Sequence, residues 1–338
     1  MTKHPAALLS AAGGQQADDG QLVEHDLLEL FLLRYDRART RRAYRQDLVD
    51  FFAFFYELEF GAERVTLEMA RGISFVEVNQ YLAHLEARDL KAATRRRKLS
   101  AIRSFFALLV SLKALETNPA AREVVRRIPK VSSDETPIIV LTKAQARHLV
   151  EAASQYLETD TSPPVTARRD EALLLVMIHG CLRRSEVAAV DAGHVRPVGA
   201  YWVLDLPHTK GGERQWVKLH ARVVDAIERM KAHSAEQFGW TFEPGSSLFR
   251  SLSRRNHGAR LRSDGIYRIV RRLARRAGLE AEIGAHTLRH TGCTLAIEGG
   301  ASLQQVQAHA RHKDLSTTMR YVHQRDRLRD SAADHISF

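Results

Sequence analysis

Three stretches of helical apolar periodicity, followed by a proline-containing break, constrain the fold more than any other feature. In "TRRAYRQDLVDFFAFFYEL", Tyr44, Leu48, Phe51, Phe52 and Phe55 recur at three- and four-residue steps. Such a stripe covers one face of an α-helix and would scatter over both faces of a strand. "SFVEVNQYLAHLEARDL" repeats it with Val76, Val78, Tyr81, Leu82 and Leu85, and "AATRRRKLSAIRSFFALLVSL" with Leu99, Ile102, Phe105, Phe106 and Leu109. Each stripe needs a partner, so the three helices are expected to pack on one another. Thr40 and Ser74 are the expected N-caps. Residues 21–118 therefore predict a helical bundle, preceded by a small, polar, mobile tail at 1–20.

The break, "NPAAREVVRRIPKVSSDETP", carries Pro119, Pro129 and Pro137, and 119–137 is expected to be an interdomain linker. Residues 138–338 form the larger second domain. "LTKAQARHLVEAA", "ARRDEALLLVMIHGCLRRSEVAAV", "SDGIYRIVRRLARRAGL", "HTLRHTGCTLAIEGG" and "SLQQVQAHARH" predict helices, with "STTMRYVHQRDRLRD" as the last. "YWVLDLPHTKGGERQWVKL" instead has two β-rich runs around Gly211 and Gly212, which predicts a hairpin. The expected class is mainly α with a small antiparallel β-sheet in the C-terminal domain.

The chain has 338 residues and a formal net charge of +11, which favours a polyanionic partner, nucleic acid above all. Arg95, Arg96, Arg97 and Lys98 are consecutive cations with no acidic residue beside them in the sequence. With Arg41 and Arg42 they are expected to face phosphates. Arg254 and Arg255 in "SRRNHGARLRSDG" would supply cations from the second domain. The two cysteines, Cys181 and Cys293, form no Cys-x-x-Cys pair, so neither a disulfide framework nor a thiolate zinc site is indicated. No apolar run approaches the ~20 residues of a membrane span, and a cytoplasmic location is expected.

"HTLRH", residues 286–290, concentrates the candidate chemistry. His286 and His290 share a helix face, but a zinc hydrolase of that spacing wants a glutamate after the first histidine, and Thr287 stands there. Arg289 on the same face would repel a dication, so no metal is expected. An arginine fork binds phosphate oxygens bidentately, and a histidine beside it can move a proton near neutral pH. A phosphodiester site also wants a second arginine, an acid and a nucleophile. Arg183 after "ALLLVMIHGCL", Lys210 in "HTKGGE" and Tyr321 in "STTMRYVH" are the candidates, with His312 nearby in sequence.

This constellation closely resembles the tyrosine recombinase (phage integrase-like) family. "CLRRSE" at 181–186 matches its first box, Lys210 its β-hairpin lysine, "HTLRH" its second box, His312 its downstream histidine, and "STTMRYVH" its nucleophile segment. The bundle resembles the family's SAM-like core-binding domain, and the whole is similar to the simple two-domain, Xer-like recombinases. Two positions depart: Arg311 stands where the third box usually has glycine, and Ala285 where proline usually precedes the second box.

The resemblance implies that Tyr321 attacks a DNA phosphodiester, forms a 3′-phosphotyrosyl link and releases a 5′-hydroxyl, with no cofactor, metal or ATP. It implies Arg183 and Arg289 as stabilisers of the transition state, His286 as proton acceptor, Lys210 as general acid and His312 as donor to a non-bridging oxygen. Glu186, His290 and His323 would support these groups from behind. It further implies a specific duplex site and a tetramer on two sites, of one chain or with a partner recombinase. The tail after Tyr321 would exchange between protomers. The rivals are a strand-relaxing topoisomerase of the same chemistry, a catalytically silent DNA-binding protein on the same fold, and a metallohydrolase.

Overall fold

The computed structural model describes residues 26–58, 64–129, 139–154, 164–206, 215–279, 283–312, 314 and 318–319. The chain divides into two compact units, Met1–Thr136 and Pro137–Phe338.

The first unit holds α1 (Leu27–Leu32), α2 (Ala38–Phe52), α3 (Leu67–Arg71), α4 (Phe75–Ala87) and α5 (Ala92–Ser111). Its core is aromatic: Phe31, Phe51, Phe52, Phe105 and Phe106 are fully buried. Their rings meet edge to face, Phe52 on Phe105 at 5.5 Å and Phe51 on Tyr81 at 5.1 Å between centroids. Ser74 caps α4 as expected: its hydroxyl accepts from the Val76 N–H at 3.0 Å, and Glu77 returns a bond to the Ser74 N–H at 2.8 Å. Helix α2 starts earlier than expected, with Arg37 rather than Thr40 at the N-cap.

The expectation that Arg95 to Lys98 lack acidic partners is corrected. Lys98 is only 6% exposed and lies 2.6 Å from Asp50 and 3.4 Å from Asp47. Arg97 pairs with Asp47, Arg95 lies 2.6 Å from Glu86, and Arg96 donates to the Pro129 carbonyl at 2.9 Å. The acids come from α2 and α4, which sequence adjacency does not show. Arg41 and Arg42 are exposed.

The stretch expected as linker also differs in its first part. Ala120 and Val125 are buried in the first unit's core, and Asn79 binds this segment by accepting from the Arg126 N–H at 2.8 Å.

The second unit holds α6 (Lys143–Ser154), α7 (Pro164–His179), α8 (Arg184–Ala189), strands β1 (Val195–Val198), β2 (Tyr201–Leu206) and β3 (Gln215–Leu219), then α9 (Ala221–Phe238), α10 (Ser263–Arg276), α11 (Ala285–Glu298) and α12 (Leu303–Ala310). Helix α7 is buried almost all round and packs against α6, α9 and α11. The sheet is antiparallel in the order β1-β2-β3, with Leu204 opposite both Val195 and Val217. The expected hairpin is β2–β3. Strand β1 was not among the expected elements; Pro197 within it is tolerated because β1 lies at the edge of the sheet. A two-residue turn, with Gly199 at φ +56°, joins β1 to β2.

Candidate active site

Helix α7 ends at His179, and the chain turns sharply through Gly180 and Cys181 to bring Arg183 to the N-cap of α8. Cys181 adopts a left-handed φ of +47°, which aims its carbonyl back across the turn. Helix α11 crosses closely here. A Cβ on Gly292 would lie 2.1 Å from the Ile178 carbonyl oxygen, so only glycine allows the contact. Arg289, one turn earlier on α11, is thereby brought beside Cys181 and donates to its carbonyl through Nη1 and to the Ala310 carbonyl through Nη2.

Arg183 is held by Glu186, whose Oε2 accepts from the Arg183 N–H and whose Oε1 accepts from Nη1, both at 2.7 Å. The Arg183 side chain remains 32% exposed, whereas Arg289 is 3% exposed. Burial pushes the Glu186 carboxyl up, but Arg311 and the two Arg183 contacts outweigh it and hold it below the usual carboxylate value. Burial lowers the Arg289 guanidinium, with Arg183 and Arg311 adding to the effect.

Arg311 ends α12 in the left-handed region, φ +58° and ψ +46°. Its side chain turns inward rather than toward solvent. Nη1 donates to the His309 carbonyl at 2.6 Å, and Nη2 to the Cys181 carbonyl at 3.2 Å and to Glu186 Oε2 at 3.1 Å. Arg311 thus makes no cationic surface, and its role was invisible in the sequence, because a helix-end dihedral decides which way the side chain leaves.

His312 is 9% exposed, and its Nδ1 lies 2.9 Å from Thr318 Oγ1. Burial, then the Arg289 and Arg183 charges, depress its pKa to about 4, so the imidazole is neutral near pH 7. Thr318 is fully buried and was not singled out in the sequence, where nothing distinguishes it from Thr317. His286 is exposed at the start of α11, its ring 6.2 Å from that of His290.

Arg183, Arg289, His312 and Glu186 therefore gather from α8, α11 and the end of α12. Lys210, Tyr321 and His323 lie outside the described residues. Arg254 and Arg255 are exposed in the turn between Arg250 and Arg260. A hydrogen bond with Cys293 and burial push the Cys181 thiol well up, which keeps it protonated and unsuited to nucleophilic attack. Among the described residues, no group of three or more His, Cys, Asp or Glu side chains could hold a metal ion. Nor is any of their helices long and apolar enough to cross a membrane.

The arrangement offers one half-exposed guanidinium, a second cation behind it and a neutral imidazole donor, a set suited to a phosphodiester. Comparison with known proteins agrees. The chain is 29% identical over 309 residues to the tyrosine recombinase XerC of Pelotomaculum thermopropionicum, covering 89% of this chain and 92% of that one. It is 28% identical to the tyrosine recombinase XerD of Rhizobium meliloti over 88% of this chain and 89% of that one. Its fold is similar to that of the XerH site-specific recombinase in a post-cleavage complex with a palindromic difH substrate, with a TM-score of 0.69, 18% identity and coverage of 97% and 87%. A lambda integrase dimer bound to a COC′ core site gives a TM-score of 0.62 at 18% identity, over 90% and 94%. The phage integrase family matches residues 140–327 and its N-terminal SAM-like domain matches 27–113, and the chain belongs to this family of tyrosine recombinases.

Proposed function

We propose that the chain is a site-specific DNA recombinase that breaks and rejoins strands through a phosphotyrosyl intermediate on Tyr321. The observation that carries this is the convergence of Arg183, Arg289 and His312 on one turn, with Thr318 tying the segment just before Tyr321 to His312. The phenolic oxygen of Tyr321 attacks the phosphorus, the P–O5′ bond breaks, and the protein becomes linked to the 3′-phosphate. A free tyrosine, with a pKa of about 10, is a weak nucleophile at neutral pH. His286 takes the phenolic proton, and Lys210 gives a proton to the departing 5′-oxygen. A second strand's 5′-hydroxyl then reverses the step, so the bond energy is retained and no nucleotide is consumed.

Arg183 presents its free edge to a non-bridging oxygen while Glu186 holds its other side. Arg289 contributes charge from behind; direct contact with phosphate requires exchange of one of its carbonyl partners. Neutral His312 donates its ring N–H to a non-bridging phosphate oxygen. Arg41, Arg42, Arg254 and Arg255 are the exposed cations assigned to the DNA backbone. Four copies, or two copies with two of a partner recombinase, would act on two duplex sites.

The test is strand exchange between two labelled duplexes bearing the candidate site beside the chain's own gene, in EDTA. Recombinant products from the wild type and none from Tyr321→Phe are expected. Products that persist in Tyr321→Phe would overturn the assignment, and relaxation of supercoils without exchange would replace it by the topoisomerase reading.

A further inference from the structure

We infer that Arg311 is a positioning residue for the phosphate-binding arginines, acting on Arg183 through Glu186 and on Arg289 through the shared Cys181 carbonyl. The inference rests on the assignment of Arg183 and Arg289 to the DNA phosphate.

Arg311 sits where the backbone would suit glycine, at φ +58°. Its side chain is 3% exposed, so it touches neither solvent nor any phosphate arriving from solvent. What it touches is the rear of the site. Its Nη2 reaches Glu186 Oε2 at 3.1 Å, and that same oxygen accepts from the Arg183 N–H at 2.7 Å. Its Nη2 also shares the Cys181 carbonyl with Arg289 Nη1. One guanidinium therefore fixes the acceptors that orient both working arginines, and its Nη1 is anchored on the His309 carbonyl at 2.6 Å.

Glu186 carries one negative charge. Alone with Arg183, it would cancel most of the field that Arg183 offers a phosphate. With Arg311 behind it, the carboxylate is shared and the cluster of Arg183, Glu186 and Arg311 keeps a net positive charge. Among the described residues, Arg289 from α11 is a further charged group that interacts with Glu186; the Cys181 thiol is held protonated by its hydrogen bond with Cys293 and by burial.

The test uses the full chain and single-turnover formation of the covalent adduct at saturating protein on a nicked duplex, with binding to the same duplex measured separately. Arg311→Gln is expected to slow adduct formation about tenfold or more while leaving the Kd within about threefold. Arg311→Lys, which keeps the charge without the fork, is expected to recover part of the loss. The acid limb of the pH–rate profile is expected to move to higher pH in Arg311→Gln, because Glu186 loses a cation; a merely structural role would leave it in place. Arg311→Gln and Glu186→Gln are expected to be non-additive when combined. If Arg311→Gln does not fold, Arg311→Gly, which the left-handed backbone accepts, carries the same comparison. Wild-type rates in both variants, or additive losses with Glu186→Gln, would overturn the inference. Arg183→Ala separates the two levels: if it cleaves normally, the assignment of Arg183 fails; if it is inactive while Arg311→Gln cleaves normally, the inference about Arg311 alone fails.

Discussion

His312 shows how a single buried side chain couples the site to solution pH. In the folded chain its pKa is depressed to about 4, against an unfolded value of about 6.5. Between these values the unfolded chain binds a proton that the folded chain refuses, so stability falls as pH drops from about 6.5 toward 4 and is level below that. With partial solvent screening the effect is about 2 kcal/mol. His179 and His309 are depressed by burial in the same direction. Urea unfolding at pH 7 and pH 5 should show a smaller loss in His312→Gln than in the wild type; an unchanged difference would place the sensitivity in the other two. The candidate chemistry at this scale was legible because Arg183, His286, Arg289 and His312 stand in ordered sequence boxes. The supporting contacts were not. Arg311 turns inward because of a backbone dihedral, and the contact of Thr318 with His312 is set by tertiary structure rather than by a sequence motif.

At the scale of elements, the helices were legible because their signals are local: apolar steps of three and four, and the Ser74–Glu77 box. What depends on distant partners was not. The run Arg95 to Lys98 reads as an open basic face until α2 supplies Asp47 and Asp50. Lys98→Met should cost about 2 kcal/mol, since it strips a partner from buried Asp47, yet leave DNA affinity of the folded protein unchanged. Loss of affinity in that variant at full folding would restore the phosphate-facing role. The crossing of α7 and α11 makes a second test. Gly292→Ala places a methyl against the Ile178 carbonyl and the Cys181 sulfur, and should cost about 2 kcal/mol. Because Arg289 rides on the same helix, cleavage should fall with it. A variant of wild-type stability and rate would show that the helices can part without consequence.

At the scale of the whole molecule, the net charge of +11 predicted a polyanionic partner, and each unit carries its own exposed arginines. Log K for duplex DNA should fall by about 0.9 per phosphate neutralised for each tenfold rise in salt. Arg41→Ala with Arg42→Ala, and Arg254→Ala with Arg255→Ala, should each reduce that slope by one to two phosphates' worth, about 1–2 in log units. Slopes unchanged in both double variants would remove these residues from the DNA interface.

The most direct test is to trap the covalent complex on a nicked duplex in EDTA, run it on a denaturing gel, and map the linked peptide. An adduct on the peptide containing Tyr321, joined to the 3′-phosphate, is the expected result. An adduct on another residue, or none on a duplex the protein binds tightly even with a partner recombinase supplied, would contradict it.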